Sequence, residues 1–210
     1  MASLVGKQQV LQTIRKWQNL GFSLEDIYLN GVTVAASLLG DGWFSDEICF
    51  SDVSISSLRL QQALSELSPE FLMDAVQSGG AKRMLLLNPP GSHHTLGSFM
   101  AAEFFRRGGW HVISMDARDE SAVLRLLHTE WFDLAGFSVA SDRQVETLTT
   151  LIQKVRSVSV NTDIKVVVGG SMVSLNPQIA EQLGADCSCS DVRSAHILIN
   201  ETIQNCKPYH

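Results

Sequence analysis

Cysteine is scarce in this chain of 210 residues: Cys49, Cys187, Cys189 and Cys206 are all it has. Four thiols are too few to staple a domain of this size, which argues against a secreted disulfide scaffold. Cys187 and Cys189 stand two residues apart, on one face if they lie on a strand, where a bridge forms with difficulty. That is neither a zinc CxxC nor a redox pair, and buried or idle thiols are expected. No stretch reaches the roughly 18 uninterrupted apolar residues of a membrane span. The opening MASLVGKQQVLQTIRKW lacks the apolar core of a signal peptide. A soluble, cytoplasmic protein with no membrane association is expected. Basic residues are in deficit as well, 16 against 22 acidic, for a net charge of −6 and a pI near 5.4. With no basic helix, helix-turn-helix signature or positive patch, strong direct nucleic-acid binding is not expected. What is plentiful is apolar: 45% of residues are hydrophobic and 18% charged, with mean hydropathy +0.08. Such a chain collapses, and its length supports one good core and a small second unit.

Two textures divide the chain near residue 80. Residues 1–80 read as a helical bundle. Val10, Ile14 and Trp17 recur at helical spacing until Gly21 stops them. Ser23 caps a second helix carrying Ile27, Gly31, Val34 and Leu38, and Gly40-Asp41-Gly42 is expected to break it. A third helix carries Val53, Ser57, Leu60, Leu64 and Leu67; Ser68-Pro69-Glu70 is expected to start a short fourth, and Ser78-Gly79-Gly80 reads as a hinge.

Residues 81–210 change period. Apolar strands are predicted at 83–87, 110–115, 132–139, 164–168 and 185–189. Helices are predicted between them over 95–107, about 120–127, around Val145–Val155, and 177–183. A last helix is placed on Val192, Ala195, Ile199 and Ile203. Alternation of this kind predicts an α/β, flavodoxin-like domain: a five-stranded parallel sheet covered on both faces, in the order 2-1-3-4-5. Ligands of such sheets bind beyond the carboxyl ends of the strands, at the switch point between strands 1 and 3.

Three places then hold the candidate chemistry. The loop after strand 1 reads Pro90-Gly91-Ser92-His93-His94-Thr95-Leu96-Gly97, strand 3 ends in Ser138-Val139-Ala140-Ser141, and strand 4 ends in Gly169-Gly170. Asn88-Pro89 and Ser138 stand where a phospho-acceptor receiver would need carboxylates, and no GxGxxG follows strand 1. His93, beside His94, reads as a solvated loop residue rather than a second ligand, and His111, His128 and His196 have no companions and read as solvated or structural. Trp17, Trp110 and Trp131 read as packing residues, and the acidic stretches Asp46-Glu47 and 116–120 as solvated loops and helix starts.

His94-Thr95-Leu96-Gly97, Ser138-Val139-Ala140 and Gly169-Gly170 resemble the HxxG, SxL and GG elements of the cobalamin-binding domain. They come in the family's order and at closely similar separations, with 40 residues between Gly97 and Ser138 and 28 between Ala140 and Gly169. Leu38-Leu39-Gly40-Asp41-Gly42-Trp43 resembles the helical domain that precedes such folds in corrinoid proteins. Asp52-Val53-Ser54-Ile55, Ala102–Trp110 and Glu130-Trp131-Phe132-Asp133-Leu134 are similar to the AerR/PpaA antirepressors of photosynthetic bacteria. The resemblance spans about residues 25–200.

The resemblance implies a corrin held by helical bundle and sheet, with its nucleotide tail threaded into the α/β core. It implies His94 as lower axial cobalt ligand and Ser138 as hydrogen-bond partner of the displaced base. Gly169 and Gly170 would line the tail channel, Gly97 would admit the tail beside the helix start, and Trp43 would lie on the upper face of the ring. Ser92, Thr95 and Ser141 join the cofactor-binding set. Imidazole suits cobalt on ligand softness. Three departures stand out. Ser92 replaces the Asp that normally orients the histidine, a loss that typically costs about 10–100-fold in affinity or activity. Ala140 replaces the Leu of SxL. Val53-Ser54 stand where light-sensing repressors carry Glu-His as upper ligand. The function so implied is a non-enzymatic, cobalamin-dependent light or redox sensor. It would act as an antirepressor by binding a transcriptional repressor of photosynthesis genes, with axial ligation shifting one domain against the other. A corrinoid methyl carrier, a haem-binding sensor and a cofactor-free adaptor are the alternatives.

Overall fold

The computed structural model describes residues 6–76, 82–89 and 95–189, and contacts divide the chain into units of residues 1–74 and 75–210. In the first unit, α1 (Lys7–Asn19) buries Leu11 and Ile14, and the chain turns at Gly21, whose φ is +95°. Ser23 caps α2 (Leu24–Asp26), its hydroxyl accepting from the Asp26 N–H at 3.0 Å. This helix continues through a π-helical segment, Ile27–Val32, into α3 (Thr33–Phe44).

Nothing in the residue pattern announced the π turn, and packing explains it. Tyr28 is fully buried, stacks on Phe71 at 4.5 Å with planes 7° apart, and donates to the Leu64 carbonyl at 3.3 Å. The Thr33 N–H reaches back five residues to the Tyr28 carbonyl, and the Thr33 hydroxyl donates to the same oxygen at 3.0 Å. Helix α4 (Phe50–Phe71) supplies the opposing Ala63, Leu64, Leu67 and Phe71.

Two expectations fail here. Gly40-Asp41-Gly42 does not break the helix; α3 runs through it to Phe44. Gly42 is a contact point: Ile48 folds back over it, and a Cβ there would lie 2.6 Å from Ile48 Cδ1. Close packing outweighs a glycine propensity cost of about 1 kcal/mol. Nor does Pro69 open a new helix. It sits inside the last turn of α4, where it can make no N–H bond to the Ser65 carbonyl, and the helix ends two residues later at Phe71. The expected hinge at 78–80 lies outside the described residues.

The second unit has the expected five parallel strands in the order β2-β1-β3-β4-β5. They are β1 (Arg83–Asn88), β2 (His111–Asp116), β3 (Leu134–Ser138), β4 (Lys165–Gly169) and β5 (Cys187–Cys189). Helices α5 (Thr95–Arg107), α6 (Glu120–Thr129), α7 (Val145–Val158), α8 (Ser171–Leu175) and α9 (Ile179–Gln182) join them. Of these only α8, five residues long, was not predicted. Strands buried on both faces read as continuous apolar runs. Leu85, Leu87, Ala135, Phe137, Val166 and Val168 face one core, with α6 and α7. Met84, Leu86, Leu134 and Val167 face the other, with Ala102 and Phe105 of α5 and with Trp110. The helix predicted on Val192–Ile203 lies outside the described residues. Among those described, no helix is long and apolar enough to cross a membrane.

Candidate functional site at the carboxyl edge of the sheet

Alternation along the strands decides which residues share a face. Met84, Leu86 and Asn88 follow one another on β1, Leu134, Gly136 and Ser138 on β3, Val167 and Gly169 on β4. The glycine in this set confirms the grouping: a Cβ on Gly136 would lie 2.4 Å from Met84 Cε, 3.0 Å from Leu86 Cδ1 and 3.4 Å from Val167 Cγ1. Ser138 is in register with Gly169. The face that carries α5 therefore ends, at the carboxyl edge, in Asn88, Ser138 and Gly169.

Helix α5 runs back along this face. Ser98, Ala102 and Phe105 recur at i, i+4 and i+7, a single stripe, and the last two pack with Met84 and Leu86. Ser98 continues the stripe towards the strand ends, only 4% exposed. Its Oγ is buried without a hydrogen-bond partner among the described residues, and so is Asn88 Oδ1. Buried polar groups are normally paired, because an unmet one costs about 1–3 kcal/mol. Sequence reasoning missed both residues. By pattern Asn88 only ends a strand, and Ser98 is one more helix position. The available signal was a polar residue on each of two facing apolar stripes.

The glycines separate into two kinds. Gly170 has φ +106°, and a Cβ there would lie 2.6 Å from the Val139 carbonyl oxygen. Gly169 lies under the Cys189 carbonyl, 3.0 Å from where its Cβ would be. This double glycine is thus required by the protein's own backbone. Gly97 is different: it is exposed in the first turn of α5, and a Cβ there would meet nothing within 4 Å among the described residues.

The remaining candidates are placed as follows. Thr95 opens α5, half-buried. Ser141 spends its hydroxyl on its own loop, accepting from the Arg143 N–H at 3.3 Å and bonding Asp142 Oδ1 at 3.2 Å. It forms a capping box with Gln144, whose Oε1 accepts from the Ala140 and Ser141 N–H groups. Ser92, His93 and His94 lie outside the described residues. Trp43 belongs to the helical unit, 44% exposed beside Phe44 at 91%, with its ring 6.0 Å from that of Phe50. Among the described residues, no group of three or more His, Cys, Asp or Glu side chains could hold a metal ion.

Two pKa shifts frame the edge. Arg118 donates to Asp116 at the end of β2, at 2.7 Å, and holds that carboxyl below its usual range. Burial, then Cys189 and Asp186, push the Cys187 thiol up to about 12.

The fit of this edge to a corrinoid tail rests on those orphaned atoms. A ribose-phosphate chain with a base brings hydroxyl donors and phosphate and ring-nitrogen acceptors. Asn88 Oδ1 needs a donor, and a serine hydroxyl can serve either role. The donor set suits such a tail.

Comparison with known proteins agrees. Residues 82–195 match the family model described as the B12 binding domain. The chain is 32% identical over 169 residues to the "uncharacterized 20.5 kDa protein in bchF-crtJ intergenic region" of Rhodobacter capsulatus, covering 80% of this chain and 88% of that one. The monomethylamine corrinoid protein of Methanosarcina barkeri superposes with a TM-score of 0.79 at 17% identity, over 94% of this chain and 93% of the other, a likeness of fold. None of these likenesses supports haem, the alternative cofactor.

Proposed function

The chain belongs to the B12 binding domain family, and from that premise we propose that it is a non-enzymatic, cobalamin-dependent sensor. In this reading it responds to light or redox state and acts as an antirepressor by binding a transcription factor. The observation that carries the corrinoid part is the carboxyl edge itself, where the buried Asn88 and Ser98 oxygens have no partner among the described residues and lie at the switch point. Support for the regulatory part comes from the likeness to a protein encoded in the bchF-crtJ interval and from the acidic charge balance, −6, which favours a protein partner over DNA.

A bound corrinoid would supply a cobalt centre that responds to light or oxidation state. The chain's own residues do the rest. His94 would offer an imidazole to the cobalt, and Ser92, standing where the family has an Asp, would be a weaker hydrogen-bond partner for its far nitrogen. Ser138, at the end of β3, would present a hydroxyl to the base. Gly169 and Gly170 keep the strand ends free of side chains.

Reconstitution tests the reading. Purified protein is mixed in the dark with hydroxocobalamin, adenosylcobalamin or haem, desalted and scanned from about 300 to 700 nm before and after illumination, with His94→Ala and Trp43→Ala alongside. Retained corrinoid with a spectrum altered by His94→Ala supports it. A Soret band, or no retained chromophore, refutes it. Methyl transfer to the loaded protein would make it a carrier instead.

A further inference from the structure

We propose that the outer edge of β2 is a self-association surface held closed by Arg106, and that a second copy of this chain pairs antiparallel with it once the guanidinium is withdrawn. The inference is independent of the corrinoid reading.

Strand β2 ends the sheet and pairs on one side only, with β1. Residues of a parallel strand address their two sides alternately. The N–H groups of His111 and Ala117 donate to the carbonyls of Lys82 and Asn88, so the odd-numbered residues face β1. Val112, Ser114 and Asp116 therefore turn their backbone groups outward. The outward N–H groups of Val112 and Ser114, and the Ser114 carbonyl, have no partner among the described residues. The strand is six residues long, without proline or lysine, the kind of edge that sheets seldom leave open. At the opposite edge β5 is only three residues long.

Arg106 supplies the obstacle, and it comes from α5 instead of the strand. Its Nη2 donates to the outward Val112 carbonyl at 3.1 Å, and its Nη1 to Glu103 Oε1 at 2.9 Å. Glu103 is only 2% exposed, and its second oxygen has no partner among the described residues. A buried carboxylate with one oxygen unmet is costly to the fold. Holding the guanidinium across the edge accounts for its presence.

The occupant is a second copy because the edge complements itself. Antiparallel pairing sets outward-facing residues opposite one another. A two-fold axis through Ser114 then places Ser114 against Ser114 and Val112 against Asp116. Asp116, the one carboxylate of the strand, is already paired with Arg118 at 2.6 Å, so no unpaired like charges meet across the seam. The outermost rung needs the Val112 carbonyl to accept from the Asp116 N–H of the second copy. That carbonyl is the one Arg106 occupies.

Sedimentation velocity over a range of concentrations tests this on the ligand-free full chain. It compares wild type, Arg106→Ala, and Glu103→Leu/Arg106→Ala, which removes the buried charge together with its partner, each with and without Ser114→Lys. Wild type is expected to sediment as a monomer. Both Arg106 variants are expected to self-associate about 10-fold more tightly or better. Ser114→Lys sets two ammonium groups opposite each other and should return them to monomer. Amide exchange on wild type is a second measurement that needs no variant: Val112 and Ser114 should exchange fast, Ile113 and Met115 slowly. Folded Arg106 variants that stay monomeric, association that Ser114→Lys does not reverse, a wild type already dimeric, or protected Val112 and Ser114 amides would each overturn the proposal.

Discussion

The carbonyl oxygen of Val139 occupies the space that any side chain at position 170 would need: a Cβ on Gly170 would approach it to 2.6 Å. The ends of β3 and β4 are drawn together there. The Val139 N–H donates to the Gly169 carbonyl at 2.7 Å, and the Met172 N–H donates to the Val139 carbonyl at 3.2 Å. Gly170, at φ +106°, then caps α8. Gly170→Ala meets both a left-handed backbone and a backbone obstacle that cannot rotate away. A loss of about 2–4 kcal/mol is expected. Gly136→Ala should cost less, about 1–3 kcal/mol, since its nearest obstacle is the flexible end of Met84. Urea unfolding of the two variants gives the order.

Gly97→Ala should do the reverse. The position is helical and exposed, with no described residue in the way of a Cβ, so alanine should stabilise the ligand-free protein by about 0.5–1 kcal/mol. If the tail passes there, the same methyl group should reduce corrinoid retention. The pair of measurements, unfolding and desalting, separates a glycine kept for the fold from one kept for a ligand.

Cys187 should be inert. With its thiol pushed up to about 12 by burial, by Cys189 and by Asp186, the thiolate fraction at pH 8 is on the order of one in ten thousand. Alkylation at pH 8 followed by peptide mapping should label the exposed Cys49 long before Cys187, until the protein is unfolded. Labelling of Cys187 at a comparable rate would contradict this.

A pH effect is expected at the α1–α4 contact. Arg15 donates to Glu70 Oε2 at 2.6 Å and Gln18 to Oε1 at 2.6 Å, and these bonds lower the Glu70 pKa from its ordinary 4.5. A carboxyl depressed on folding adds stability that is present above 4.5 and is lost as pH falls through the lower folded value. The pair is solvent-exposed, so the effect should stay below about 1 kcal/mol. Arg15→Ala should return the Glu70 titration towards 4.5 by NMR and flatten the acid limb of the stability profile.

The Tyr28–Phe71 stack should dominate the helical unit. Phe71→Ala removes a fully buried ring and should cost about 3–5 kcal/mol. Tyr28→Phe keeps the ring and loses the 3.3 Å hydrogen bond to the Leu64 carbonyl, for about 0.5–1.5 kcal/mol. Circular dichroism melts of the two variants test the ranking.

Residue patterns alone determined the strand order and the helix α5, which runs Thr95–Arg107 as predicted. Both follow from local rules: apolar runs buried on two faces, and parallel crossovers that must be covered. Motif order likewise pointed to the right family. The π turn at 27–32, the continuation of α3 through Gly40-Asp41-Gly42, and the place of Pro69 inside α4 were decided by tertiary contacts. Tyr28 on Phe71 and Ile48 on Gly42 are distant or out-of-period pairs that no local preference encodes. The same holds at the site. A motif could nominate Ser138 and the double glycine, but only the folded sheet shows that Ser141 is committed to its own loop and that Gly170 answers to Val139. Only the facing of β1 and α5 shows that Asn88 and Ser98 end one interface with their oxygens unmet. Whether a polar atom is satisfied depends on what lies across from it in space, and that is a property of the tertiary structure.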